Sequence, residues 1–262
     1  MSAPGRLLLL GVLLANLSLA GLVVPARAEK LVVVLAAERI GITSSFSGTR
    51  VVAITVVERD GQSISRSGAY DAVALIRGPE RTQVTRRKVR WAGLWVNGPS
   101  RTYVGAPTYF AAIANRPFAD IAGDDLRAEH NIGLDFLRLS TRGRLPGDVD
   151  DKAFRDAFVA AKRTDGLYVE NDQGVAFIND TVLRASFPLP ANTPVGSYKI
   201  DVLLLSQGAI VARGEASIDL VKEGFEASVF RASREQPLLY GLASVVLAIA
   251  MGWMAGIVFR RN

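Results

Sequence analysis

Residues 194–220 read PVGSYKIDVLLLSQGAIVARGEASIDL. Ser197 to Leu205 and Ala209 to Leu220 are apolar-rich runs separated by Ser206-Gln207-Gly208, which predicts an antiparallel pair joined by a tight turn. Pro194-Val195-Gly196 stands just before Tyr198, so a glycine turn delivers a tyrosine to the start of the first strand. Upstream the pattern recurs. Thr181 to Phe187 is a strand bounded by Pro188, and Leu167 to Glu170 and Val175 to Ile178 flank Asn171-Asp172-Gln173-Gly174, which predicts a hairpin-type loop.

Residues 29 to about 116 read the same way. Leu31–Leu35, Arg39–Phe46, Val51–Val57, Tyr70–Ile76, Thr82–Trp91 and Thr108–Ala114 are short runs, several rich in β-branched residues. Turn signals stand at Ser47-Gly48, Asp60-Gly61 and Gly78-Pro79. The period changes between them. Pro117 to Ser140 has irregular helical character with Asp124 as a candidate N-cap. In Val149–Lys162, Phe154, Phe158 and Ala161 fall on one helical face, with Asp148 or Asp150 to cap the start and Gly166 to stop it. The chain is therefore expected to be mainly β: an immunoglobulin-like antiparallel β-sandwich over 29–223 with a helical insertion at about 117–165. Two small domains split near the insertion are the alternative.

The ends are of another kind. Arg6, the apolar Leu7–Val24 and Ala26-Arg27-Ala28 have the n-region, h-region and small-residue cleavage site of a secretory signal, so residues 1–28 are expected to be removed; an uncleaved anchor is the alternative. Leu238–Phe259 is a stretch of 22 residues with no charge, long enough to cross a hydrocarbon core of about 30 Å. A signal followed by a stop-transfer span places 29–223 in the periplasm of a bacterial inner-membrane protein and 260–262 in the cytoplasm. The positive-inside count is indecisive, since Lys222, Arg231 and Arg234 stand near the outer end against Arg260-Arg261 at the inner. Phe225–Gln236, within 224–236, reads as a juxtamembrane helix, and Pro237 suits a kink or the first turn of the span.

Composition narrows the chemistry. Cysteine is absent, so thiol catalysis, disulfide staples and Cys-based metal sites are excluded. The formal charge of +6 falls to +4 once Arg6 and Arg27 leave with the signal, too mild an excess to announce nucleic acid. His130, the one histidine, lies in the polar stretch Glu129-His130-Asn131; no Gly-x-Ser-x-Gly elbow, phosphate loop or dinucleotide fingerprint accompanies it. Asp148, Asp150 and Asp151 crowd together, but acids at a helix start answer the positive end of its dipole and lack a calcium loop's further ligands. No metal or cofactor is expected.

Two constellations remain. In a strand, Arg86, Lys88 and Arg90 point to one face about 7 Å apart, where they repel one another unless an anion, a lipid headgroup or an acidic partner meets them; an edge strand charged against aggregation is the plainer account. The aromatics just downstream, Trp91, Trp95, Tyr103, Tyr109 and Phe110, are expected mostly in the core, with Trp95 a candidate for the same recognition face. In the span, Ser244, Ala248, Gly252 and Gly256 recur every four residues and form a small-residue stripe against which another helix could pack.

Arg77-Gly78-Pro79, Arg86-Arg87-Lys88, Ala92-Gly93-Leu94-Trp95-Val96-Asn97, Pro107–Phe110, Pro194-Val195-Gly196-x-Tyr198, Pro237-Leu238-Leu239-Tyr240-Gly241 and the terminal Phe259-Arg260-Arg261 together resemble the alphaproteobacterial putative transmembrane protein family. The resemblance covers nearly the whole mature chain. It carries over no catalytic residue, and it implies a sulfite-exporter-like permease as a partner, because members tend to be encoded beside one. The expected function is a non-enzymatic accessory or interaction module of the membrane, with a permease or a second copy as partner. A periplasmic enzyme of unfamiliar type, using carboxylates or His130, and a structural envelope protein are the alternatives.

Overall fold

Gly48–Glu58 alternates as a strand with one buried face must: Val51, Ala53, Thr55 and Val57 are buried, and Val52, Ile54 and Val56 only half so. In the computed structural model, which describes residues 29–58, 70–143 and 150–259, this strand is the axis of the first of three sheets. The expected signal peptide, the Asp60-Gly61 turn, Asp148 and the 260–262 tail lie outside the described residues.

The strands are β1 (Lys30–Leu35), β2 (Arg39–Ile42), β3 (Gly48–Glu58), β4 (Asp71–Arg77), β5 (Glu80–Trp91), β6 (Leu94–Pro107), β7 (Phe110–Ala114), β8 (Ser140–Arg142), β9 (Tyr168–Asn171), β10 (Val175–Asn179), β11 (Val182–Pro190), β12 (Gly196–Ser206) and β13 (Ala209–Lys222). The helices are α1 (Phe118–Ile121), α2 (Asp124–His130), α3 (Asp151–Thr164), α4 (Phe225–Glu235) and α5 (Pro237–Phe259).

The first sheet runs β1-β3-β11-β10, all antiparallel. The second runs β2-β13-β12-β4-β7-β9, with parallel pairs only at its two ends. Val51, Ala53, Leu183 and Phe187 of the first sheet share one core with Ile76, Ile200, Val202 and Leu204 of the second. Phe118, Ile121, Ile132, Leu134 and Phe158 from the intervening segment join that core. Strands covered on both faces carry continuous apolar runs rather than alternation, and Ala72–Ile76 and Phe110–Ala114 are such runs, buried at every position.

The fold is thus mostly β, in sheets that are largely antiparallel. The order β1-β3-β11-β10 in one sheet and β13-β12-β4 in the other is compatible with an immunoglobulin-like sandwich, in which these would be the A-B-E-D and G-F-C strands. Tyr198, buried at the start of β12, donates its hydroxyl to the carbonyl of Pro194 at 2.5 Å, the contact of a tyrosine corner. β12 and β13 pair as the opening stretch demands, through a two-residue turn with Gln207 and Gly208 at φ 53° and 78°.

Several expectations are corrected. β11 does not stop at Pro188 but runs to Pro190, because β10 pairs with it only from Val182 to Ala185 and Pro188 therefore faces no partner strand on that side. The Asn171–Gly174 loop is not a hairpin, since β9 joins the second sheet and β10 the first. The stretch 117–165 is not purely helical: β8 pairs with β6. The residue at the N-cap of α2 is Gly123, not Asp124, whereas Asp150 caps α3 by accepting the Lys152 amide at 2.8 Å. Leu94–Pro107, a strand of 14 residues, was not expected as one. It turns back at Ala92-Gly93 and passes through Pro99 by way of a bulge, signals that read as breaks in the sequence.

At the C-terminus α4 ends at Gln236, whose φ of −135° leaves helical space, and α5 starts anew at Pro237. α5 has no buried residue among those described and is long and apolar enough to cross a membrane.

Candidate functional site

β5 and β6 form a long hairpin that leaves the core. Its turn is Ala92-Gly93, with φ of 46° and 84°, and Trp91 pairs directly with Leu94. Positive φ at both central residues is the twist-matched hairpin turn, which glycine accepts freely and alanine only at a cost. Between Arg86 and Lys88 the register slips: Arg86 pairs with Ser100 and Lys88 with Asn97, so Gly98 and Pro99 together oppose Arg87. Gly98 lies so close that a Cβ there would stand 2.9 Å from Val89 Cγ1 and 3.1 Å from the Arg87 carbonyl oxygen.

Cross-strand partners share a face. Arg86, Lys88 and Arg90 lie on one face, with Asn97 and Trp95 beside them, Trp95 opposite Arg90. Val89, Trp91, Leu94 and Val96 lie on the other, with Arg87. Toward the base this second face packs on α3. Tyr103 stacks on Phe158 at 4.6 Å between ring centroids, and Phe158 meets Tyr168 edge-on. Burial first, and then the Asp151 carboxylate, push the Tyr103 hydroxyl above its ordinary value. Arg101, buried, donates to Asp151 Oδ2 at 2.6 Å, to Thr141 Oγ1 at 2.8 Å and to the Gly143 carbonyl at 2.8 Å, so one guanidinium ties the hairpin to α3 and β8.

Beyond that joint the hairpin is uncovered. The expected aromatic core divides: Tyr103, Tyr109 and Phe110 are buried, while Trp91 and Trp95 are 71% and 69% exposed. Among the described residues outside α4 and α5, the exposed large hydrophobic ones are Val34, Val84, Trp91, Leu94, Trp95, Val96 and Ile178. Five of these seven sit on this one hairpin, which makes it the apolar patch of the domain. Arg86, Arg87, Lys88 and Arg90 are exposed and make no ion pair among the described residues. From sequence Trp91 is expected with the core aromatics, and Leu94 and Arg87 are not site candidates, because Ala-Gly is a weaker hairpin signal than Asn-Gly and leaves the register unread.

A second cluster lies on β4, β12 and β13. Asp201, 6% exposed, accepts from Arg77 at 2.5 Å on Oδ2 and from Arg213 at 2.8 Å on Oδ1. The bond to Asp201 raises the Arg213 guanidinium above its usual value. A polar cavity of about 180 Å³ opens beside this triad, rimmed by Glu129, His130 and Asn131. His130 is half-buried at the end of α2, and its backbone carbonyl accepts from Arg77 at 3.3 Å. Both oxygens of Asp201 are occupied by guanidinium donors. Asp150 caps α3 and Asp151 neutralises Arg101, which accounts for those two acids structurally. Among the described residues no cluster of acids and histidine could hold a metal ion.

Ser244, Ala248, Gly252 and Gly256 lie along α5, all exposed. The Ser244 hydroxyl is returned to the Tyr240 carbonyl at 2.8 Å, and a Cβ at Gly252 or Gly256 would meet nothing within 4 Å.

A family model described as "Putative transmembrane protein (Alph_Pro_TM)" matches residues 30–261. No curated protein matches the chain. Among solved structures, the chain is similar to the sporulation control protein Spo0M from Bacillus subtilis at 13% identity and a TM-score of 0.32, covering 80% of this chain and 56% of that one. The chain therefore spans little more than half the length of that protein, and a likeness at this level fixes neither fold nor function.

Proposed function

The chain belongs to the putative transmembrane protein family Alph_Pro_TM, and from that premise we propose that it is a membrane-anchored, non-enzymatic accessory module whose immunoglobulin-like domain serves binding. In this reading α5 is a single span of the bacterial inner membrane, the domain is periplasmic and the C-terminus cytoplasmic. The support for that orientation is the signal-like Arg6 to Ala28 followed by the apolar Leu238–Phe259. The observation that carries the binding role is the β5–β6 hairpin, which gathers exposed Trp91, Leu94 and Trp95 beside four cations with no acid at ion-pair distance among the described residues. Tryptophan and arginine are the side chains that dominate recognition surfaces, and a domain gains nothing for its own stability by exposing them.

The span has its own contact surface. Ser244, Ala248, Gly252 and Gly256 leave room for a second helix at close range, and the partner we propose is a permease of the sulfite-exporter-like kind or a second copy of this chain. Purification of the full chain in mild detergent, with identification of the chains that come with it, tests the role. A multispanning permease that is lost on Gly252→Leu with Gly256→Leu is the expected result. A mature chain that is soluble and monomeric without detergent sinks the proposal.

One observation favours a second reading. His130 and Glu129 rim the cavity beside Arg77 and Arg213, an arrangement open to a small polar substrate. An enzyme of that kind predicts turnover abolished by His130→Ala, whereas the accessory role predicts that this change leaves partner binding intact.

A further inference from the structure

We infer that the tip of the β5–β6 hairpin docks into the headgroup layer of an anionic membrane; the assignment rests on the reading of α5 as an anchor and names the occupant of the hairpin. The geometry orders the side chains by depth. Trp91, Leu94 and Trp95 flank the turn and are outermost, 71%, 67% and 69% exposed. Arg86, Arg87, Lys88 and Arg90 stand behind them on β5, within roughly 3–17 Å of Trp91 at about 3.3 Å of rise per residue. Beyond the Thr85–Arg101 pair, where Arg101 holds Asp151 of α3, β5 runs about 20 Å further to Trp91. Tryptophan favours the boundary between acyl chain and headgroup, and lysine and arginine behind it reach the phosphates.

The charge pattern selects the lipid surface over a protein. Arg77, Arg101, Arg116, Arg127 and Arg213 have carboxylate partners, and isolated exposed arginines such as Arg81 and Arg184 have none among the described residues, so it is the crowding of four cations into residues 86–90 that calls for an anion from outside. The four cations of the hairpin have none among the described residues, and they occupy both of its faces, three on one and Arg87 on the other. A folded partner would have to supply acids on two opposite sides of a ribbon, whereas an anionic bilayer entered tip-first surrounds it with phosphates. The span in the same chain keeps a bilayer permanently within reach, so the second contact is intramolecular and a modest affinity suffices.

The chain has three tryptophans, Trp91, Trp95 and Trp253, and Trp253→Phe leaves only the hairpin pair as reporters. The full chain carrying this change would be reconstituted into vesicles of phosphatidylcholine alone or mixed equally with phosphatidylglycerol. In the anionic vesicles the emission should shift to the blue, resist acrylamide and be quenched by phosphatidylglycerol brominated on its acyl chains. Replacing Arg86, Lys88 and Arg90 together by Gln should weaken the docked state by about 100-fold, from about tenfold per 1.4 kcal/mol and roughly 1 kcal/mol per cation near such a surface, and return the emission to that of exposed indole. Emission that stays acrylamide-accessible in anionic vesicles overturns the assignment. So does protection from acrylamide without bromine quenching, which marks a protein or a second copy as the occupant. A chain that does not enter vesicles at all overturns the anchoring reading and the hairpin assignment together, while entry with an exposed hairpin overturns the hairpin assignment alone.

Discussion

Asp151→Asn should destabilise the protein more than Arg101→Met, although the second change removes a larger side chain. The reason is which partner is buried. The Arg101 side chain is 9% exposed and that of Asp151 56%. Asp151→Asn removes the countercharge and leaves a buried guanidinium with neutral acceptors alone, Thr141 Oγ1, the Gly143 carbonyl and the amide oxygen that remains at position 151. Breaking a fully buried pair costs about 3–5 kcal/mol; with the carboxylate half in water, a cost of about 2 kcal/mol is expected. Arg101→Met removes the buried charge with its desolvation cost and keeps an aliphatic stem in the same space. Asp151, Thr141 and Gly143 are exposed and rehydrate, so about 1 kcal/mol or less is lost. The double variant should resemble Arg101→Met alone, a coupling of about 1–2 kcal/mol. Thermal unfolding of the full chain in mild detergent, followed by far-UV circular dichroism, reads these as drops in Tm of roughly 4–8 °C for Asp151→Asn and 2–4 °C for Arg101→Met. If Arg101→Met is the worse of the two, or if the two effects add, the buried guanidinium does not carry the penalty and this account of the joint is refuted.

Four other outcomes are expected. Gly98→Ala places a Cβ 2.9 Å from Val89 Cγ1 and should cost about 1–3 kcal/mol, with the altered Trp91 and Trp95 emission of the Trp253→Phe background locating the damage in the hairpin; an unchanged Tm and spectrum would contradict the bulge geometry. Tyr198→Phe removes the hydroxyl bond to Pro194 and should cost about 1 kcal/mol in urea unfolding, whereas no cost would show that the bond contributes nothing. Burial raises the hydroxyls of Tyr109, Tyr168 and Tyr198 far above their ordinary 10.0, so they stay neutral when folded and ionise when unfolded. Their contribution to stability is whole below pH 10 and falls as pH rises beyond it, which absorbance at 295 nm should show as late, cooperative ionisation; early ionisation would contradict the burial. Gly252→Leu with Gly256→Leu should weaken helix association in proteoliposomes, measured by energy transfer between labelled copies or with the partner, and undiminished transfer would clear that stripe of any packing role.

Much of the candidate site was legible in residues 80–107, but unevenly. Strand alternation alone puts Arg86, Lys88 and Arg90 on one side, because the side-chain period of a strand is two. It cannot say which strand lies opposite, and so it could not place Trp95 against Arg90 or divide the five aromatics into buried and exposed. The Arg77–Asp201–Arg213 cluster was invisible, since its members come from three strands separated by 124 and 12 residues. The hairpin expected at Asn171–Gly174 failed for a related reason: a turn sequence specifies a change of direction but not which sheet receives the next strand.

The sequence by itself determined the β-rich class, the pairing of β12 with β13, the apolar face of α3 and the apolar helix at the C-terminus, all of which depend on neighbours within a few residues or on one uninterrupted apolar run. Only the tertiary structure decided that β4 and β7 are covered on both faces, that β9 and β10 belong to different sheets, and that the β5–β6 hairpin outruns α3 and leaves Trp91, Leu94 and Trp95 in the open. Those outcomes turn on what packs against a strand from far along the chain, and exposure is a property of the neighbours that arrive rather than of the residue itself.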